Sequence, residues 1–281
     1  MHEVKVVYTP HCPWNPGFLR AMRHWAEEAG ASFRALDISQ SPDEARELLR
    51  RAPELGRSRQ AHIAAFVDGE LVPGHPADPE YKDNFMALLE GRPVPERSRE
   101  EPPRGGEAPA VRYVPINPRT LDLAIDFCLL YHPSGMWPEA KAANAGREAA
   151  RRALAEVLEA VPVAGYLALR PSSGGPEPVA LLKWMPRPLA RAHGYVTGEG
   201  DGDGVLTLVC LEATGGVDRE AVLEGLLRAA LEEAAPPGYH TVEACARGET
   251  ASLYRRAGFS AVEERGEALI LSRPLGVRDR G

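Results

Sequence analysis

A segment rich in proline, glycine and charge divides this chain of 281 residues into two pieces. Residues 92–109, RPVPERSREEPPRGGEAP, contain almost no large apolar side chain. Such a stretch cannot bury enough apolar surface to offset the entropy lost on folding, so it favours an extended linker. We therefore predict a first domain over 1–91, a linker over 92–110 and a second domain over 111–281. Each domain is large enough to bury its own core.

Charge, hydropathy and cysteine spacing exclude several function classes. The chain carries 40 acidic and 33 basic side chains, a formal net charge of -7, which argues against nucleic acid or an anionic membrane as partner. No apolar run approaches the roughly 18 residues of a membrane span, and the first residues do not resemble a secretory signal. The four cysteines are far apart, without CxxC or zinc-ligand spacing, so no metal site is expected. We expect a cytoplasmic protein.

The first piece shows alternating strand and helix patterns. A β-branched strand over 4–8 leads through a Pro-rich turn into a helix with Leu19, Met22, Trp25 and Ala26 on one face. Asp68-Gly69 predicts a hairpin turn. Further strands are predicted at 32–38, 62–67 and 70–72, with helices starting at Ser41-Pro42 and spanning 81–89. The order is β-α-β-α-β-β-α.

This order, with the segments YTPHCPW (8–14) and FVDGE (66–70), resembles the thioredoxin and glutaredoxin family. The resemblance implies that a helix N-terminus acidifies the Cys12 thiol. The family's second cysteine position holds Asn15 here, and its cis-proline position holds His62. Cys12 remains a candidate one-thiol site for glutathione or a mixed disulfide. The other interpretation is a fold retained for docking or structure.

The second piece predicts a mixed α/β layer structure with a largely antiparallel sheet. The strands are expected at 111–114, 163–169, 177–185, 205–211, 239–245, 259–263 and 268–272. The helices are expected at 119–131, 138–160, 218–235 and 249–256. The segment 183–204, KWMPRPLARAHGYVTGEGDGDG, finishes a strand and then becomes Gly and Asp rich. We interpret the rest of it as a flexible connection.

The segment SLYRRAGF, residues 252–259, resembles the late motif of the GNAT superfamily of N-acetyltransferases. In that motif a leucine-tyrosine pair on a helix is followed by Gly-Phe, which opens the next strand. The resemblance implies a GNAT fold and an acetyl-CoA-dependent N-acetyltransferase that acts on a small amine. It also implies that Tyr254 protonates the departing thiolate. The other interpretation of Tyr254 is a helix tyrosine packed beneath the sheet.

The same resemblance implies where acetyl-CoA binds. The fourth strand of the second piece would pair with the pantetheine arm, and the next helix N-terminus would hold the pyrophosphate. The implied cofactor-binding residues are Leu208, Val209, Cys210, Leu211, Gly215, Gly216, Arg219 and Tyr254. However, Asp218 stands where the family carries a basic glycine loop. Asp218 is a good helix N-cap, but its charge repels phosphate. Either the loop is rearranged or acetyl-CoA binding is lost.

The resemblance places the acceptor pocket at the connection between the first two helices of the second piece. The acceptor candidates are Tyr131, His132, Trp137 and Glu139, although an ordinary packed turn explains them equally well. Glu212 and Glu243 are candidate general bases, and the alternative for both is a solvated or structurally paired carboxylate.

Two other functions remain open for the whole chain. One is a noncatalytic ligand- or partner-binding protein built from degenerate thioredoxin and GNAT folds. Asn15, His62 and the Asp218 loop favour it. The other is a single-thiol redox protein that uses Cys12.

Overall fold

The structure is a computed structural model in which two compact units are distinguished. It describes residues 2–9, 12, 14–38, 40–50, 63–74, 76, 80–94, 110–130, 140, 147–214, 217–232, 236–246, 248–265 and 268–275. Unit one groups Met1–Pro103 with Pro133–Ala149, and unit two groups Arg104–His132 with Ala150–Gly281. Most of the predicted linker, residues 95–109, lies outside the described residues.

Unit one is a four-stranded mixed sheet with three helices in its described part. The sheet order is β2-β1-β3-β4, with β1 parallel to β2 and antiparallel to β3. The strands are β1 (Glu3–Tyr8), β2 (Ser32–Asp37), β3 (Ile63–Val67) and β4 (Glu70–Leu71). The helices are α1 (Asn15–Glu28), α2 (Pro42–Arg50) and α3 (Tyr81–Leu89). These elements lie where the sequence pattern predicts them.

Successive side chains of β1 point to opposite faces of the sheet, so they divide the core of unit one into two layers. Val4 and Val6 pack with α1 and α3, while Val7 packs with Leu36 and Phe66. The rings of Trp25 and Phe85 meet edge to face, with centroids 5.5 Å apart. The strands therefore bury apolar side chains on both faces, as helices on either side of a sheet require.

The Asp68-Gly69 turn confirms the predicted hairpin between β3 and β4. Asp68 has a φ of 51° and Gly69 a φ of 85°, the two positive values that a type I′ turn needs. The Asp68 carboxylate also accepts a 2.7 Å hydrogen bond from the Glu3 amide and contacts His2 Nδ1 at 2.6 Å.

Unit two is built on a seven-stranded sheet of order β10-β11-β9-β8-β7-β6-β5. Its pairs are antiparallel except β8 with β9, so this sheet is mixed and largely antiparallel, as predicted for the second piece. The strands are β5 (Arg112–Pro115), β6 (Gly165–Arg170), β7 (Glu177–Pro186), β8 (Val205–Ala213), β9 (Thr241–Ala246), β10 (Ser260–Arg265) and β11 (Ala268–Pro274). The helices are α4 (Leu121–Leu130), α5 (Arg147–Ala160), α6 (Arg187–Ala192), α7 (Arg219–Glu232) and α8 (Gly248–Arg256).

The segment after β7 corrects the prediction of a flexible connection. Arg187 to Ala192 form the helix α6, and the following residues return along it. Arg191 Nε donates to Thr197 Oγ1 at 2.8 Å, and Arg187 Nη1 donates to the Glu199 carbonyl at 2.8 Å. Thr197, Gly198 and Gly202 are buried. The Gly and Asp composition indicated an irregular backbone correctly, but two arginines anchor that backbone.

In the described part of the chain, no helix combines the length and the apolarity that a membrane crossing requires.

Candidate functional site

Three neighbouring strands of unit two each carry a partly exposed side chain close to the place where the pairing of β8 with β9 ends. Lys183 on β7 and Cys245 on β9 are partly exposed between buried residues, and Cys210 on β8 is partly exposed next to the partly exposed Leu211. Lys183 pairs with Cys210, and the register of β8 with β9 continues through Leu208 and Ala244, one step before Cys245. Lys183 and Cys210 are paired neighbours, and Cys245 lies just beyond the last β8–β9 pair; we call these three side chains the row. We call them, with Glu212 and Tyr254, the central cleft.

A bulge in β8 places the row on one face of the sheet. Lys183 pairs with Cys210 but Trp184 pairs with Leu208, so the register skips Val209. Paired residues point to the same face and successive residues of a strand alternate. Cys210 consequently shares the face of Thr207, three residues before it. Without the bulge Cys210 and Glu212 would lie on the opposite face.

Cys245 lies on the face of Cys210. Thr207 Oγ1 donates a 2.7 Å hydrogen bond to Glu243 Oε1, so these two side chains lie on the same face. Cys245 follows Glu243 by two residues and points the same way. Beyond the last register pair, Leu208 with Ala244, β8 continues to Ala213 and β9 to Ala246. The central cleft lies at the point where this pairing ends.

Tyr254 reaches this face from α8. The residue is buried, and its ring packs on Phe259 with centroids 5.2 Å apart. Burial raises the pKa of the Tyr254 phenol, and the neighbouring Cys210, Glu212 and Cys245 raise that pKa further. These couplings place the hydroxyl beside acidic groups of both β8 and β9.

Gly258 and Phe259, the last two residues of the 252–259 motif, are explained by the way in which α8 ends. Gly258 has a φ of 86°, and its amide donates to the Arg255 carbonyl at 2.9 Å. The Phe259 amide donates to the Tyr254 carbonyl at 3.0 Å. This pair of bonds is a Schellman motif, which ends a helix at a left-handed glycine. It turns the chain so that Phe259 packs against Tyr254.

Glu212 belongs to the central cleft. It lies two residues after Cys210 on β8 and is 9% exposed. Its Oε2 is 3.6 Å from Nη2 of Arg219, the first residue of α7. The carboxylate therefore lies between Tyr254 and a half-exposed guanidinium.

Glu243 has the geometry of the structurally paired carboxylate, the alternative to a general base that the sequence left open. The Arg187 guanidinium grips both of its oxygens, with Nε to Oε1 at 3.0 Å and Nη2 to Oε2 at 2.6 Å. Thr207 donates to Oε1 and the Gly198 amide donates to Oε2 at 3.1 Å. The carboxylate is fully buried. Four donors occupy its two oxygens, which is the geometry of a structural ion pair that anchors the 197–199 backbone.

The N-terminus of α7 confirms Asp218 as an N-cap. Asp218 Oδ1 accepts a 3.1 Å hydrogen bond from the Ala221 amide. One of the amides that would otherwise face an anion is thus already bonded to a carboxylate. Arg219, which the sequence assigned to phosphate, is half exposed and faces Glu212 instead.

Several predicted site residues lie outside the described part of the chain. These are Gly215 and Gly216 of the cofactor loop and Tyr131, His132, Trp137 and Glu139 of the acceptor pocket. Of the predicted cofactor strand, Leu208 and Val209 are buried, while Cys210 and Leu211 are partly exposed.

Cys12 lies in unit one, just before α1, and is partly exposed. Asn15, at the position of a second thiol in the thioredoxin resemblance, is buried and donates from Nδ2 to the Thr9 carbonyl at 2.5 Å. The backbone N–H of Asn15 also donates to the Cys12 carbonyl at 3.1 Å. Asn15 therefore holds the turn around Cys12 and offers no resolving thiol.

Lys183 and Cys245 were not predicted from the sequence as residues of this site. Lys183 interrupts the apolar run VALLKWM, and such a charge in the middle of a buried strand was a usable signal. Cys245 gave no signal, since a cysteine in a strand is most often a small buried apolar residue. Among the described residues, no group of three or more His, Cys, Asp or Glu side chains is arranged to hold a metal ion.

No protein-family model matches the chain, and no curated protein matches it. Solved structures give weak likenesses at low sequence identity. The Arabidopsis thaliana NAA60 in complex with acetyl-CoA is 13% identical, covers 59% of this chain and 99% of its own, and has a TM-score of 0.35. The Escherichia coli GNAT family N-acetyltransferase YhbS in complex with CoA is 15% identical, with 62% and 86% covered and a TM-score of 0.36. PH1933 from Pyrococcus horikoshii is 12% identical, with 59% and 99% covered and a TM-score of 0.36.

Proposed function

We propose that unit two is an acetyl-CoA-dependent N-acetyltransferase of the GNAT type that acts on a small amine. The observation that carries the proposal is the central cleft. A buried tyrosine from α8 meets a partly open row of side chains where the register of β8 and β9 ends. Acetyl transfer needs a donor at the departing sulfur and a base near the amine, and Tyr254 and Glu212 supply these groups side by side.

The element order of unit two supports the same assignment. The GNAT resemblance requires the cofactor strand to be fourth in the unit, followed by a helix, a fifth strand and the tyrosine-bearing helix. β8, α7, β9 and α8 stand in that order. The Leu253-Tyr254 pair is buried on α8, and Gly258-Phe259 leads into β10.

The thioester end of the site fits acetyl-CoA. The backbone of β8 after Leu208 runs past its last register pair with β9, and the bulge at Val209 interrupts its pairing with β7. Backbone amides and carbonyls at such a place are suited to hydrogen-bond an extended amide-containing ligand. Val209, Cys210 and Leu211 would hold the pantetheine arm.

The pyrophosphate end fits less well. The Asp218 carboxylate caps α7 where phosphates would meet the helix amides. Arg219 is a cation at that end, and its guanidinium also contacts the Glu212 carboxylate. We therefore propose weak acetyl-CoA binding in which the thioester end contributes most of the specificity.

The bound cofactor would supply an activated acetyl group. Tyr254 is protonated at neutral pH, because its pKa lies above the ordinary phenol value. The same raised pKa makes complete proton transfer to a thiolate unfavourable, so we assign Tyr254 a hydrogen bond to the departing sulfur. Glu212 lies beside it and would accept the proton that the attacking amine loses.

For unit one we propose a thioredoxin-like fold without dithiol chemistry. Its support is the β2-β1-β3-β4 sheet with a parallel β1-β2 pair, and Asn15 in place of a second thiol. The domain boundaries 1–91 and 111–281 belong to the same proposal.

Calorimetric titration with CoA and acetyl-CoA, followed by an acetylation assay with primary amines, tests the proposed function. Micromolar to submillimolar binding together with amine-dependent release of CoA would support it. No binding at millimolar cofactor would contradict it and would favour a noncatalytic binding protein, the function for which the Asp218 cap is the specific observation.

For Cys12, an ordinary slow thiol in an alkylation pH profile would argue against the redox alternative.

A further inference from the structure

Lys183 places a positive charge in the central cleft. It lies on β7 between Leu182, which is fully buried, and Trp184, which is 2% exposed, yet it is itself partly exposed. α4 packs on β7, and the Lys183 ammonium lowers the otherwise burial-raised pKa of the Cys128 thiol on that helix. The charge therefore lies between β7 and α4, next to Cys210.

Glu212 places a negative charge on the same face. Lys183 pairs with Cys210 and Leu181 pairs with Glu212, so Lys183 and Glu212 occupy diagonal positions on adjacent strands. Diagonal neighbours in a sheet lie about 7–8 Å apart, a distance that long side chains can bridge. Tyr254 is coupled to Glu212 and to Cys210, which lies between the two charges. A cation and an anion thus flank the position of the proposed chemistry.

We infer that the acceptor is an amine with a carboxylate next to it, such as an α-amino acid, whose carboxylate binds Lys183 while its amino group faces Glu212. This inference rests on the proposed function of unit two. A ligand with both charges matches both side chains, whereas an acceptor with only positive charge is repelled by Lys183. Charge-assisted hydrogen bonds from an ammonium to a carboxylate are among the stronger polar contacts in a partly buried site.

The test compares the standard α-amino acids with their α-carboxamides as acceptors, with acetylated products measured by mass spectrometry. The amide removes the negative charge and keeps the size and the amino group. Its amine is also less basic, so more of it is neutral, and intrinsic reactivity alone would favour the amides. We expect kcat/KM to be at least about tenfold higher for at least one free acid than for its amide.

The variant Lys183→Met should remove that preference. We expect kcat/KM for the preferred free acid to fall about tenfold, with the amide changed less than about twofold and CoA affinity unchanged. Lys183→Arg should retain the preference because it keeps the charge. Lys5→Met, a change at a partly exposed lysine of β1 in unit one, is the matched control and should have no effect.

Amides that react as well as the acids in the wild type would overturn the inference while leaving the proposed function intact. An equal loss for acid and amide in Lys183→Met would do the same. Titration of the same amino acids into the protein alone tests Lys183 without turnover. Binding of a free acid that Lys183→Met weakens supports the inference even if acetyl-CoA does not bind, and binding of none of them overturns it.

Discussion

At the scale of single residues, Tyr254 combines a packed ring with a hydroxyl that lies in the central cleft. Its ring packs on Phe259 and its hydroxyl lies near the acidic groups of β8 and β9. The two interpretations that the sequence allowed, a packed helix tyrosine and a donor in the site, are therefore compatible. Packing fixes the ring, and the fixed ring presents the hydroxyl to the cleft.

Tyr254→Phe tests the chemical part separately. The variant keeps the ring contact with Phe259 and removes only the donor. We expect turnover to fall about 10²-fold or more, as for loss of one preorganised donor, with the Kd for CoA nearly unchanged. Steady-state kinetics and calorimetry measure the two quantities. Unchanged turnover would remove Tyr254 from the proposed chemistry.

Asp218→Asn tests whether the N-cap charge opposes cofactor binding. Asparagine caps a helix about as well as aspartate, so the thermal midpoint should change little. Removing the charge at the end of α7 should strengthen CoA binding about two- to fivefold at low salt. Asp201→Asn, at an exposed loop residue, is the control. Equal affinities of Asp218→Asn and the wild type would show that phosphate does not approach this helix end.

At the scale of elements, the bulge in β8 and the return of the chain along α6 shape the cleft. The skipped residue Val209 rotates Cys210 and Glu212 onto the face of Thr207. The Arg187–Glu243 pair ties α6 and the residues around Gly198 to β9. This ion pair, whose side chains are 12% and 1% exposed, thus anchors the irregular segment after α6 together with the contact of Arg191 with Thr197.

Glu243→Gln should strongly destabilise unit two. The change leaves the Arg187 guanidinium partly buried without its counter-charge, which costs about 3–5 kcal/mol in comparable sites. Hydrogen exchange of the β8 and β9 amides measures the loss. Glu90→Gln breaks a contact with Arg92 in which the side chains are 47% and 55% exposed, and should cost under about 1 kcal/mol. A similarly small loss for Glu243→Gln would contradict an anchoring role.

At the scale of the whole molecule, each unit has its own hydrophobic core. The cores of unit one are centred on residues such as Trp25, Phe66 and Phe85. The core of unit two contains residues such as Trp184 and Leu227. Separate cores predict separate loss of structure when either core is damaged.

Phe85→Ala tests that independence. Phe85 is fully buried against Trp25, so the change should destabilise unit one by about 3–5 kcal/mol. Hydrogen exchange should then accelerate in β1 and β3 but not in β7, β8 or β9. Leu227→Ala, at a fully buried position of unit two, should give the reverse pattern. Loss of protection in both units from either change would show that they unfold together.

The sequence by itself predicted those features that depend on neighbouring residues. The Asp68-Gly69 turn, the Asp218 cap, the Tyr81–Leu89 helix and the order of strands and helices all follow from local propensity and periodicity. Local rules suffice there because the interacting groups lie within one turn or one element.

Only the tertiary structure decided which of these residues meet. Arg187 and Glu243 are 56 positions apart, so neither the anchored segment nor the partner of Glu243 was visible locally. The face on which Cys210 and Glu212 lie depends on a register slip against β7, and a single skipped residue reverses it. Lys183 and Cys210 meet because β7 pairs with β8, and Cys245 lies near them just beyond the last β8–β9 pair, which is a property of strand pairing rather than of any one segment.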